Sequence, residues 1–156
     1  FPDYFKDSKV LEIGSLNING SVRQFFENCE YLGVDLGLGK DVDLVSKGHE
    51  LSFPDKSFKT VISCECLEHD KDWQKTFQKM YDLSSGLVVM SCATIGRPEH
   101  GTSRTNADAA PFTNDYYQNL AISDFTDVFN FHDMFKDFCF AVNSVSHDLY
   151  FWGKTY

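Results

Sequence analysis

Several groups of residues in this chain have types and spacings that can do chemistry. Glu12 and Gly14 lie in Val10 to Gly20, V-L-E-I-G-S-L-N-I-N-G, where a short apolar run opens into a Gly-punctuated turn. Asp35 ends a second apolar run, Tyr31-Leu32-Gly33-Val34. A carboxylate at the tip of such a second strand can accept both hydroxyls of a ribose. Glu12, Gly14, Ser15, Gly20, Asp35 and the adjoining Leu36 therefore make a candidate site for a nucleoside-containing cofactor. The dinucleotide fingerprint G-x-G-x-x-G needs a Gly where this chain has Leu16, because that Gly lets the backbone approach a pyrophosphate. A cofactor without phosphates has no such requirement, so a nicotinamide-dependent oxidoreductase ranks below it.

Further along, Cys64-Glu65-Cys66 is followed closely by Glu68 and His69. Glu68 and His69 at a strand tip can form an acid–base pair. Cys64, Cys66 and His69 invite a metal, but no second C-x-x-C or His pair accompanies them, so the cysteines read as core thiols and no metal site is assigned. The third group, Arg97, Glu99, His100 and Arg104, concentrates titratable and cationic side chains in one unpatterned stretch. Among these side-chain types only imidazole has an ordinary range near neutral pH, which singles out His100.

The elements that must hold these groups follow from the pattern of apolar residues. Val10 to Ile13, Tyr31 to Asp35, Asp41 to Val45, Phe58 to Ser63 and Leu87 to Cys92 read as strands. Ser21 stands three residues before Gln24, a capping-box spacing, and Val22, Phe25 and Phe26 predict a helix there. Asp70 is placed to cap a second helix whose Trp73, Phe77 and Met80 fall on one face, closing at Ser84-Ser85-Gly86. Strands alternating with helices imply a parallel sheet. Ligands of open α/β sheets sit outside the carboxyl ends of the strands, which puts Cys64 and Glu65 beside the Gly14 turn. Ala93 to Thr113 shows no period, and a loop of that length leaving a central strand reads as a lid over the same crevice. Asn114 to Leu120 and Ser123 to Phe129 are read as two short helices, and Phe135 to Val142 with Leu149 to Lys154 as an antiparallel pair.

Val10 to Gly20 with Asp35 resembles motif I and its following acid in class I S-adenosylmethionine-dependent methyltransferases. That pattern is an acid, any residue, then G-x-G-x-G, of which this chain keeps Glu12 and Gly14. Leu51 to His69, L-S-F-P-D-K-S-F-K-T-V-I-S-C-E-C-L-E-H, is similar to the family's L-P-F-x-D-x-S-F-D run ending in L-E-H. The resemblance implies a Rossmann-like three-layer α/β sandwich, mostly parallel with a C-terminal antiparallel strand, and S-adenosylmethionine as cofactor. It also implies that Gly48 and His49 lie along the adenine, although Lys47 stands where the family commonly has Asp. The methionine moiety falls to Cys64 and Glu65. Arg97, Glu99 and Arg104, with Tyr117 beyond the loop, become candidate acceptor-binding residues, and His100 and His69 candidate bases.

At 156 residues the chain is read as one domain, 1–156, with the lid at 93–113. Its formal charge of −9 argues against a nucleic-acid substrate. Five cysteines, an odd count in apolar surroundings, suit reduced thiols. No apolar run reaches the roughly 18 residues of a membrane helix, and no charged-then-apolar leader opens the chain. The expectation is a soluble, cytoplasmic enzyme that methylates a small molecule; the alternative is a non-catalytic nucleoside-binding module. Nothing in the sequence sets an oligomeric state.

Overall fold

The apolar, β-branched and aromatic runs build seven strands of one sheet. The computed structural model describes residues Phe1 to Tyr156 and gives β1 (Lys9–Ile13), β2 (Glu30–Asp35), β3 (Leu44–Val45), β4 (Phe58–Cys64), β5 (Ser84–Ala93), β6 (Phe135–Asn143) and β7 (Asp148–Thr155). Their order across the sheet is β3-β2-β1-β4-β5-β7-β6. Strands β1 to β5 pair in parallel. β7 runs antiparallel between β5 and β6. The chain leaves β1 toward β2 on one side and returns to β4 on the other, so a crevice opens between the carboxyl ends of β1 and β4.

One face of the sheet carries Leu11, Val61, Val88 and Met90 into the main core. Helix α1 (Trp73–Leu83) covers it, burying Trp73, Phe77, Met80 and Leu83 at helical spacing. Two shorter helices, α2 (Ile122–Thr126) and α3 (Phe131–Met134), add Phe125 and Phe131. Phe77 contacts the rings of Phe125, Phe129, Phe131 and Phe151 at centroid distances of 5.1 to 5.8 Å. Each such ring contributes about 2 to 3 kcal/mol by burial, plus a smaller gain from edge-to-face packing.

Side chains alternate along a strand, so Val10, Thr60, Ile62 and Tyr31 point to the opposite face. There the cover is a run of aromatic side chains rather than a helix. Phe1 packs on Trp152, Phe5 on Phe26, and Phe26 on Tyr31. Thr60 donates to the carbonyl of Tyr4 at 2.8 Å. Glu27 N–H donates to the Phe5 carbonyl and Asp7 N–H to that of Glu27.

Several expected elements differ. Instead of a helix after Gly20 there is one 3-10 turn, Val22–Phe25. Ser21 Oγ caps it by accepting from Arg23 N–H at 3.1 Å. Gln24 reaches the Ser21 carbonyl rather than its N–H, and Asn28, left-handed at φ 54°, turns the chain into β2 before a second turn can form. β3 shrinks to two residues. α1 starts at Trp73, while Asp70 folds back before it to accept from Asp72 N–H and Thr76 Oγ1. β5 begins at once at Ser84, so Gly86 lies inside a strand, where Tyr4 and the Lys59 carbonyl leave no room for a Cβ. Asn114 to Leu120 forms no helix. No helix is long and apolar enough to cross a membrane.

Candidate functional site

Gly14 carries the chain out of β1 with φ +84°, a conformation in which a side chain is strained. A Cβ there would stand 2.5 Å from that of Cys66, so the turn after β1 and the turn after β4 touch through this glycine. Gly14 and Ser15 N–H both donate to the Val34 carbonyl, which ties the turn to β2. Asp35 completes it: one carboxylate oxygen accepts from Leu16 N–H at 2.8 Å and the other from Leu36 N–H at 2.7 Å. Each oxygen keeps a second lone pair for another donor. Burial pushes the Asp35 carboxyl above its usual range, against the pull of these two bonds. Leu16 holds the turn through its backbone N–H, while its side chain lies against Gly39.

Glu12 is 4% exposed and accepts from Tyr31 Oη at 2.8 Å. Burial pushes it up to about 7, with the Tyr31 bond and Arg23 opposing. Around these groups lies a cavity of about 910 Å³. Its wall contains Glu12, Gly14, Ser15, Gly20, Asp35, Leu36, Gly48, His49, Cys64 and Glu65, so the structure brings all the sequence-predicted cofactor residues to one place. Gly48 belongs there for a packing reason, since a Cβ would press within 2.8 Å of Ile13 and Thr76. Lys47 also lines the wall, paired with Glu50 at 3.0 Å. Ser15 Oγ and His49 Nδ1 are buried without a hydrogen-bond partner. Burial raises the Cys64 thiol to about 12, so it stays protonated, and the five cysteines are free.

The other predicted group divides. His69 lines the cavity, with Nδ1 3.3 Å from the Tyr116 carbonyl. Burial, and then the neighbouring His100, lower His69 to about 4. His100 is not on the wall; it stands behind His69, ring centroids 5.0 Å apart. Arg97, Glu99, Arg104 and Tyr117 are also off the wall. Arg97 is held by Asp148 and the Ser146 carbonyl, reaching to the hairpin. Arg104 pairs with Glu99 at 2.6 Å. Tyr117 Oη donates to Asn119 at 2.6 Å. Their polar groups are thus spent on holding the loop rather than aimed at a ligand.

The end of the expected lid, Ala109 to Thr113, does line the cavity, but sequence reasoning missed that the lining continues through Asn114 to Tyr116 and includes Ile18, Phe25, Asp70 and Asp72. Pro111 followed by a run of left-handed residues, Phe112, Asn114 and Asp115, marks a tightly turned segment, and the Asn-Asp pair was the available signal.

Comparison with known proteins agrees with this architecture. A family model described as "Methyltransferase domain" matches residues 16–89. Comparison with curated proteins finds no match. Among solved structures, the CurJ carbon methyltransferase superposes with TM-score 0.64 at 13% identity over 97% of this chain, which spans only 49% of that protein. Burkholderia thailandensis 1,6-didemethyltoxoflavin-N1-methyltransferase, with 1,6-didemethyltoxoflavin and S-adenosylhomocysteine bound, gives 0.64 at 14%, covering 96% of this chain and 72% of the other. Haemonchus contortus phosphoethanolamine N-methyltransferase 2, in complex with S-adenosylmethionine, gives 0.62 at 20%, covering 88% and 35%. Likeness at such identities speaks for the fold. The chain thus has the fold of these methyltransferases, and a methyltransferase-domain model matches a little under half of it.

Proposed function

We propose that this domain binds S-adenosylmethionine in the 910 Å³ cavity and transfers its methyl group to a small-molecule acceptor. The observation that carries the reading is the convergence of Glu12, Gly14, Asp35 and Cys64 on one wall between the carboxyl ends of β1 and β4. The donors and acceptors there fit the cofactor: Asp35 retains lone pairs for two ribose hydroxyls, Ser15 Oγ and His49 Nδ1 lack partners, and acidic Glu12 suits a cationic ligand. When bound, this cofactor supplies a sulfonium-activated methyl, whose bond to sulfur breaks as the bond to the acceptor forms. The protein's part is to exclude water and align the acceptor. Phe112 and Tyr116, on the closing segment, and Phe25 line the mouth and support an acceptor with an apolar part. For a hydroxyl or amine acceptor the proton goes to His69, the imidazole of the lid side of the wall, with His100 positioning it through the ring contact. The charge of −9 supports a small molecule over nucleic acid.

A second reading, a binding module without turnover, is favoured by one observation: the helix that would follow the glycine turn is a single 3-10 turn. Calorimetry with S-adenosylhomocysteine and turnover of S-adenosylmethionine against a panel of hydroxylated and amine metabolites decide between them. The expected result is binding that weakens roughly tenfold or more in Asp35→Asn, as charge-assisted bonds of about 1.5 to 3 kcal/mol are lost, and release of S-adenosylhomocysteine with some acceptor. Binding without release under every acceptor supports the module. No binding, or equal binding by Asp35→Asn, removes the cofactor assignment.

A further inference from the structure

Glu68 is the one acidic side chain of the strand-tip turns that is wholly buried, at 0% exposure. One of its carboxylate oxygens accepts from Ala93 N–H at 3.0 Å. The other is buried with no partner, and no lysine or arginine pairs with the group. A buried carboxylate without a cation is expensive, so the group is held protonated until a cation or metal ion pairs with it. Two imidazoles stand next to it: one donor atom each of Glu68, His69 and His100 lies within 4.8 Å of the others.

Both imidazoles have one ring nitrogen turned to a backbone carbonyl. His69 Nδ1 faces the Tyr116 carbonyl at 3.3 Å, and His100 Nδ1 faces the Pro98 carbonyl at 3.2 Å. A carbonyl partner requires Nδ1 to carry the proton, which leaves Nε2 of each ring with a bare lone pair. This is the outer-shell arrangement that fixes metal-binding histidines. The loop carrying His100 is braced: Thr102 is fully buried and donates to Glu99, Arg104 pairs with Glu99, and Gly101, at φ +68°, has no Cβ that would strike the His69 ring.

We infer that Glu68, His69 and His100 form a binding site for a divalent transition-metal ion of the zinc class, which ties the loop of residues 93–113 to the turn after β4. Two histidines and one carboxylate are a common donor set for such ions, whereas magnesium and calcium prefer all-oxygen sites. Bonds of about 2.1 Å place tetrahedral donors roughly 3.4 Å apart. From separations within 4.8 Å the trio therefore tightens by at most about 1.4 Å on binding, a movement available to half-buried His100 on its loop. The site is distinct from the Cys64–Cys66 pair, and it stands whether or not the domain transfers methyl groups. The two meet at His69: an ion there occupies the lone pair that would accept a proton, so a metal-loaded chain and a proton-accepting His69 are alternative states.

The test is titration of the whole chain with Zn2+ by calorimetry, with Co2+ as a spectroscopic probe and Mg2+ as competitor. One Zn2+ per chain is expected, at micromolar affinity or tighter, undisturbed by millimolar Mg2+, with a Co2+ spectrum free of thiolate charge transfer. Glu68→Gln and His100→Ala should each weaken Zn2+ binding at least tenfold, and Zn2+ should slow proteolysis within the loop only in the parent. Should Glu68→Gln fail to fold, His100→Ala and the Co2+ spectrum still decide. S-adenosylhomocysteine binding is followed in the same samples, so loss of the cofactor reading is seen separately. Unchanged Zn2+ affinity in His100→Ala, a thiolate band in the Co2+ spectrum, or equal competition by Mg2+ overturns the site.

Discussion

The strand-tip turns of the cofactor wall and the loop above them both carry carboxylates, and the two sets are tuned in opposite directions. On the wall, burial raises Glu12 and Asp35. In the loop and the segment after it, hydrogen bonds from Thr102 and Arg104 lower Glu99, and bonds from Ser103 lower Asp115. The wall groups are desolvated ahead of any ligand and keep acceptor capacity in reserve; the loop groups have spent theirs on one another. The backbone differs likewise. The wall turn is tied to Val34 and Asp35 by N–H groups, whereas the loop depends largely on side-chain bonds and short turns of its own. Clusters of charge are therefore poor guides to a ligand site when the charges satisfy each other, and isolated buried acids at strand tips are better ones.

The strongest way to break the wall is to fill its narrowest contact. Gly14→Val adds atoms 2.5 Å from Cys66 at a residue with φ +84°. Strain and overpacking together should cost about 3 kcal/mol or more, and cofactor-site binding should vanish, as calorimetry with S-adenosylhomocysteine and a denaturant melt would show. A melt within about 0.5 kcal/mol of the parent would mean that the two turns do not meet.

A subtler effect comes from Glu12. Its folded-state value is about 7 against an ordinary 4.5, so the fold holds this proton more tightly than the unfolded chain. The resulting stabilisation is complete below about pH 4.5 and is lost as pH rises through 7. That loss amounts to roughly 2 to 3 kcal/mol in the unliganded protein. Glu12→Gln should remove it, so the difference between parent and variant denaturant midpoints should grow from pH 5 to pH 8 in favour of the variant. Parallel curves would show that Glu12 is solvated.

The smallest effect should fall on the loop. Arg104 is 60% exposed in its pair with Glu99, so Arg104→Ala should cost no more than about 0.5 kcal/mol and leave S-adenosylhomocysteine affinity unchanged. A large drop in that affinity would erase the contrast between the two regions.

Much of the wall was legible in the sequence because strand tips announce themselves. Apolar runs ending at Glu12–Gly14, Asp35 and Cys64–Glu65 fix which residues emerge together once the strands are parallel. The closing hairpin was legible for a similar reason, two aromatic runs joined by a polar connection. The helix after Gly20 was not, since Ser21 and Gln24 carry a cap signal while Asn28 and the start of β2 at Glu30 end the turn early. Nor was the fate of Arg97, whose partner Asp148 lies in a hairpin that local pattern cannot place beside it. Glu68 shows the same limit. Nothing in L-E-H reveals that its carboxylate is enclosed and half unpaired.

The two faces of the sheet are closed by unlike means, and this divides the molecule's stability into two tiers. Helix α1 and the phenylalanine cluster cover one face and can be removed only by unfolding the core that holds them. The other face is closed by a peptide segment, whose amides at Asp7 and Glu27 are secured by a few bonds between Phe5 and Glu27. Lifting that segment breaks little of the sheet, so these amides can meet solvent through a local opening of low free energy. The amides that pair β1 with β2 and β4 are released only in the global transition. Glu12 and Tyr31 lie on the thinly closed side. A transient opening there hydrates the raised carboxyl without disturbing the aromatic core, so this part of the cofactor wall sits on the more labile tier of the fold.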